Sequence, residues 1–202
     1  MNVYIVVVGM LETNCYLAVS DPGHEAVVID PGAQGGRIMQ SVEKMKLKVE
    51  YVLLTHGHHD HTGALSEVRQ TLDVPVLLHE KEADYMKIKA AEQARYEPGK
   101  KSPAFLTLKD GDEIAFGAVR LKTLHTPGHT PGGACYLAAG ENICFTGDTL
   151  FNDGVGRTDF AGGDSRALSS SIRTKLMALP DGITIYPGHG PSSTIGRERK
   201  YF

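Results

Sequence analysis

The stretch "THGHHDHTG", residues 55–63, sets four histidines and an aspartate into nine residues of a 202-residue chain that has nine histidines in all. The apolar run before it, "VEYVLLT", reads as a buried strand, so the histidines begin where that strand ends. Side chains two apart in extended backbone share a side, which groups His56 with His58. Asp60 and His61 follow where the chain turns toward a helix marked by the spacing of Leu65, Val68 and Leu72. An imidazole needs a partner for each of its two nitrogens, so such a knot makes poor core material. It suits divalent cations, which take neutral imidazole nitrogen and carboxylate oxygen.

Three more polar residues stand in glycine-rich turns that each follow an apolar run: His129 in "HTPGHTPGG", Asp148 in "FTGDTLF" and His189 in "YPGHG". Glycine there lets backbone approach closely, and loops at strand ends are where a rigid scaffold presents chemistry. Four such loops carrying imidazole or carboxylate are expected to converge on one site.

Strand-like runs occupy residues 3–8, 15–20 and 25–30, then "VPVLLH", then 105–108, 113–116, 119–124, 134–138, 143–146 and "ITIY". Helical spacing marks residues 37–45, "EKEADYMKIKAA" and residues 166–179. "KDGD", residues 109–112, is read as the turn of a hairpin. The polar, proline-broken segment 91–103, with Tyr96, is read as a long loop and a lid candidate. Strands flanked by helices in both halves predict an α/β sandwich, two sheets face to face with helices outside. No linker or composition break divides the chain, so residues 1–202 are read as one domain.

A net charge of −3 leaves no electrostatic footprint for nucleic acid or an anionic membrane. Three widely spaced cysteines, Cys15, Cys135 and Cys144, with no C-x-x-C, fit a reducing compartment and a role as core thiols. The N-terminal run lacks a positive leader region, and no apolar stretch approaches the roughly 18 residues of a membrane span. The expectation is a soluble cytoplasmic protein, acting on a small molecule, with homo-oligomerisation left open.

"THGHHDH", "TPGHTPG", "FTGDTLF" and "PGHG", taken in order with "TNCYLAV" and "VVIDPG", resemble the metallo-β-lactamase superfamily and within it the glyoxalase II-like (hydroxyacylglutathione hydrolase-like) branch. The resemblance covers nearly the whole chain and implies a four-layer αβ/βα sandwich of two mixed sheets with its site at one edge. It implies two divalent metal ions, zinc first, with iron or manganese as alternatives. His56, His58 and His129 would hold one; Asp60, His61 and His189 the other; Asp148 would bridge them. No ligation is expected of His59. His125 is assigned a supporting or packing role, and His79 and His24 are read as structural or exposed.

The implied reaction is hydrolysis of a thioester such as an acylglutathione, with water ionised between the cations and oriented by Asp60. Arg157, in "GVGRTDF", is read either as a partner for a substrate carboxylate or as an ion pair with Asp153 or Asp159. Full-length glyoxalase II enzymes carry a basic helical extension that grips glutathione. Here Arg197, Arg199 and Lys200 form a reduced grip, or glutathione is not the thiol. "GVGRTDF" also resembles the persulfide dioxygenases of the same superfamily, in which His56, His129 and Asp148 would hold a single iron. A secreted lactamase, a nuclease and a non-catalytic metal module are ranked below both: the first lacks a leader, the second a basic region, and closed structural zinc sites favour cysteine.

Overall fold

The computed structural model describes residues 1–95 and 104–202. Strands β1 (Asn2–Val8), β2 (Thr13–Val19), β3 (Glu25–Ile29), β4 (Lys48–Leu53), β5 (Val76–His79), β6 (Gln93–Arg95) and β7 (Phe105–Leu108) form a seven-stranded sheet in the order β1-β2-β3-β4-β5-β7-β6. Strands β8 (Glu113–Phe116), β9 (Val119–His125), β10 (Ala134–Ala138) and β11 (Ile143–Gly147) belong to a second, six-stranded sheet. After the small β12 (Leu150–Phe151) and β13 (Gly154–Val155) ribbon, β14 (Thr184–Pro187) and β15 (Ser193–Thr194) complete its order, β15-β14-β11-β10-β9-β8.

Side-chain alternation explains the layering. In β2, Tyr16 and Ala18 point between the sheets, where they meet Phe116, Leu121, Tyr136 and Phe145 of the second sheet. Their neighbours Cys15 and Leu17 point outward, into a second cluster. Strands buried on both faces read as unbroken apolar runs, hence "AVVI" and "YVLL". Helices α1 (Gly35–Lys44), α2 (His59–Thr62), α3 (Leu65–Leu72) and α4 (Glu80–Tyr85) lie on the first-sheet side. There Ile38, Val42, Leu65, Val68 and Ala83 fill the outer cluster. On the far side, α5 (Ser165–Ser171) continues into a π-helical turn (Ile172–Leu176) and, with α6 (Ile195–Glu198), covers the second sheet through Leu168, Ile172, Leu176 and Ile195. Each such fully buried leucine or isoleucine contributes about 1.5–3 kcal/mol. Helix, sheet, sheet, helix is the αβ/βα sandwich.

Three local expectations are corrected. "KDGD" does not close a hairpin: β7 runs parallel to β5 and β6, while β8 pairs with β9. The turn carries the chain from one sheet to the other, with the Asp112 carboxylate accepting the Lys109 N–H and pairing with Arg95. Helix α4 ends at Tyr85 because Lys87 takes a left-handed conformation (φ 57°) and the Ile88 N–H returns to the Ala83 carbonyl. The segment read as a loop begins with a 3-10 turn (Ala90–Glu92) and β6. The lid reading with Tyr96 lies outside the described residues. All three cysteines are free and buried. Among the described residues, no helix is long and apolar enough to cross a membrane.

Strands β4 and β11 deliver their following loops to a common edge. Because β11 runs parallel to β14, Asp148 and His189 leave the second sheet at the same end. The sheets are stitched there: the Ala134 N–H donates to the Thr55 carbonyl (3.0 Å) and the Asn14 N–H to the Gly188 carbonyl (2.8 Å).

Candidate metal centre

Five imidazoles meet at that edge, each with one ring nitrogen engaged by the protein and the other facing inward. His61 Nδ1 lies 3.0 Å from Asp30 Oδ2. His56 Nδ1 meets the Thr55 hydroxyl at 3.0 Å, and that hydroxyl donates in turn to Asp30. His129 Nδ1 donates to the Arg157 carbonyl (2.7 Å) and His189 Nδ1 to the Leu11 carbonyl (2.9 Å). His58 is reversed, with Nε2 toward the Tyr85 hydroxyl at 3.5 Å and Nδ1 inward. Such outer partners select the tautomer and aim the remaining lone pair.

The inward atoms fall into two groups of potential ligands, His56–His58–His129 and Asp60–His61–His189. His58 Nδ1 and His129 Nε2 are 2.9 Å apart, and His61 Nε2 and His189 Nε2 are 3.3 Å apart. Two bare lone pairs repel at such distances unless a proton or cation lies between them. Ligand atoms around a tetrahedral ion with bonds of about 2.1 Å are themselves about 3.4 Å apart. Asp60 Oδ2 is 3.2 Å from His189 Nε2. Asp148 faces both groups, 3.6 Å from His129 Nε2, 3.4 Å from His61 Nε2 and 3.6 Å from His189 Nε2. His56 Nε2 is buried with no hydrogen-bond partner, a cost of about 1–3 kcal/mol unless a ligand meets it, and buried Asp148 Oδ1 has only the long 3.4 Å approach of His61 Nε2. The donor set fits divalent cations. A third cluster, Asp30–His56–His61, is different in kind, since Asp30 is already engaged by Thr55 and His61.

Electrostatics favour that use at His56, His58 and the two carboxylates, while at His61 a cation must displace a proton. Burial, then the neighbouring imidazoles, holds His56 well below its ordinary value and so neutral. Burial and His129 lower His58. Burial opposes charge on His61 too, but Asp148 and Asp30 outweigh it and raise it to about 10. Burial would raise Asp60 and Asp148; hydrogen bonds and charge from His189 and His61 lower both, leaving acceptors for a cation.

Residues 8–189 match the metallo-beta-lactamase superfamily. The chain belongs to that superfamily. The hydroxyacylglutathione hydrolase GloC of Haemophilus influenzae is 38% identical over 204 residues, covering 99% of this chain and 96% of its own. Three solved structures share the fold closely. The BLEG-1 B3 metallo-beta-lactamase has TM-score 0.86 at 34% identity, with 98% and 97% of the two chains covered. ETHE1 from Myxococcus xanthus has 0.81 at 30%, covering 99% and 82%. TTHA1623, in a di-iron-bound form, has 0.81 at 33%, covering 98% and 97%. Superfamily membership and the paired His/Asp clusters make this a divalent-metal centre of the metallo-hydrolase type.

The centre opens into a cavity of about 620 Å³ whose wall includes Leu11, His59, Phe151, Val155, Arg157 and Phe160. His59 is exposed and belongs to neither ligand group. Arg157 forms a two-pronged pair with Asp159 (2.7 and 2.6 Å) and lies 3.9 Å over the Phe160 ring. Arg197 pairs with Asp153, and Arg199 with Asp181 and the Met177 and Leu179 carbonyls; neither lines the cavity. His125 stacks on His79 (4.0 Å, 3°), away from the ligands.

Two carboxylates escaped the sequence reading. Asp30 organises His56 and His61. Glu82, buried in α4, accepts the Gly57 N–H (2.7 Å) with one oxygen, and the Thr130 hydroxyl (2.8 Å) and Gly132 N–H (2.9 Å) with the other. Asp30 stood inside the quoted "VVIDPG". For Glu82 the one signal was an acid in a helix next to a strand end, which is ordinary on a solvated face.

Proposed function

We propose that the protein is a binuclear metallohydrolase that cleaves a thioester such as an acylglutathione. The observation that carries this reading is the set of five imidazoles, each tied outward by one nitrogen, whose free nitrogens converge with Asp60 and Asp148. His56, His58 and His129 would hold one cation, Asp60, His61 and His189 the other, and Asp148 both. Zinc is the first choice, with iron and manganese served by the same donors. Bound there, two divalent cations would supply positive charge for a developing oxyanion and a lowered pKa for water.

The chain's own residues account for the rest. No serine, threonine or cysteine is among the described residues lining the cavity, so the nucleophile is taken to be water. Asp60 is half-buried and ionised at the cavity floor, so it orients that water by accepting a hydrogen bond. The walls of Phe151 and Phe160 limit solvent around the reacting carbonyl. The similarity to GloC over nearly the full length of both chains supports the thioester substrate.

Hydrolysis of S-lactoylglutathione by protein loaded with zinc, manganese or iron tests the reading. Turnover no higher than that of a His58→Ala, Asp60→Ala double variant rejects it. A second reading, a single-iron persulfide dioxygenase using His56, His129 and Asp148, is favoured by "GVGRTDF" and by the likeness to ETHE1. One tightly held iron per chain with rapid oxygen uptake on glutathione persulfide would select it. Nitrocefin cleavage, assayed in parallel, addresses the likeness to the B3 enzyme.

A further inference from the structure

Nine large apolar side chains are exposed among the described residues, and three of them, Leu11, Val155 and Phe160, line the cavity. A pocket lined mainly by apolar side chains with a few polar groups is the usual form of a small-molecule site. Its parts touch the centre directly. The Phe160 ring meets His58 edge-on at 5.6 Å and the Phe151 ring meets His189 edge-on at 6.2 Å, so aromatic walls flank the two ligand groups separately. Leu11 joins Phe151 at the second group through its carbonyl on His189.

The polar side of the cavity points the same way. Among the described residues lining it, Arg157 is the one arginine or lysine. Its Nε and one Nη are already committed to the two oxygens of Asp159, and its flat face is committed to Phe160. A carboxylate arriving on that edge would have to displace Asp159, and one arriving on the remaining Nη1 edge would sit beside the Asp159 charge. Arg197 and Arg199 are engaged elsewhere, and Lys200 rests on the Tyr201 ring. A thiol carrier recognised through its carboxylates finds, among the described residues lining the cavity, no cation that lacks a carboxylate partner.

Resting on the thioester reading above, we infer that the thiol carrier is uncharged: the cavity seats it by apolar contact with Leu11, Phe151, Val155 and Phe160. The peptide carboxylates of glutathione are not gripped. Any acyl thioester still reaches the centre, but an S-linked neutral group gains the walls without stranding a charge among them.

Non-hydrolysable thioethers test this without catalysis. Binding of S-hexylglutathione and of the S-hexyl ether of N-acetylcysteamine is measured calorimetrically, on protein with and without zinc. The neutral ligand is expected to bind at least as tightly, to weaken less than twofold from 0.05 to 0.5 M salt, and to lose fivefold or more in Phe160→Ala. Arg157→Ala is expected to change either affinity less than threefold. S-hexylglutathione binding tenfold tighter, with the advantage lost in Arg157→Ala or in high salt, overturns the inference. Equal, weak binding of both that Phe160→Ala leaves unchanged overturns it as well. Because no bond is cleaved, these outcomes are separate from failure of the hydrolysis assay, which removes the thioester reading itself.

Discussion

Glu82 accepts the backbone N–H of Gly57, the residue between His56 and His58, at 2.7 Å. Its other oxygen takes Thr130 and Gly132 from the loop that carries His129. One buried side chain on α4 thus ties together both loops that furnish the first ligand group. Glu82→Ala leaves three donors without an acceptor, at about 1 kcal/mol or more each. A loss of about 3 kcal/mol in urea unfolding of the metal-free protein is expected, with weaker retention of metal by the His56–His58–His129 group. A loss under about 0.5 kcal/mol would show that the clamp carries no weight. In Glu82→Gln the amide presents a donor to one of the two N–H groups, so an intermediate loss is expected.

His79 gives a pH-dependent prediction. Its Nδ1 accepts the Lys81 N–H at the start of α4, so the neutral ring caps the helix and the protonated ring cannot. Burial first, then His125 and Lys81, lowers it from 6.5 to about 4, against the nearby Asp110 and Asp112. The unfolded chain takes up this proton below about 6.5 and the folded chain does so only near 4. The contribution is therefore complete above pH 6.5 and is lost as pH falls toward 4. Allowing for solvent screening it amounts to about 1 kcal/mol. His79→Asn keeps a capping acceptor that does not titrate. Urea midpoints at pH 7.5 and 5 should show the variant gaining about 1 kcal/mol on the wild type at the lower pH; parallel losses would contradict the assignment.

Gly188 precedes His189, and a Cβ there would run into the Asp148 carboxylate and the His61 ring. Gly188→Ala is expected to displace two ligands at once. Metal affinity measured by competition with a chelator should fall tenfold or more, and the metal-free fold should lose about 1–3 kcal/mol. Unchanged affinity would place the loop elsewhere.

His58 and His59 are sequence neighbours with opposite fates, one facing His129 and the other exposed. His58→Ala should lower the bound metal per chain and reduce activity by a hundredfold or more, whereas His59→Ala should leave metal content unchanged. Elemental analysis after dialysis distinguishes them. Equal losses would refute the ligand assignment.

The order of layers and the loops that form the centre were legible because they depend on local pattern. Apolar runs bounded by glycine and proline marked nearly every long strand, and histidines in strand-end turns marked the edge. What was missed depends on partners far away in the chain. Whether "KDGD" closes a hairpin turns on β7 finding β5 and β6, which no feature of the turn records. Glu82 reads as a surface acid until the loops bearing Gly57 and Gly132 are folded onto it. Arg157 had two readings in the sequence, and the Asp159 pair decides between them for the free protein.

The four-histidine segment leaves the first sheet, whereas Asp148 and His189 leave the second, and His129 lies between two strands of that same second sheet. With the ligands proposed above, cation occupancy would be a coordination crosslink between halves otherwise joined by interior side chains and a few backbone bonds. By mass action such a ligand adds about 2.7 kcal/mol of resistance to unfolding when present at a hundred times its dissociation constant. Chelation would therefore loosen the join between the halves as well as stop turnover, and the chain's lifetime in a cell would follow metal supply.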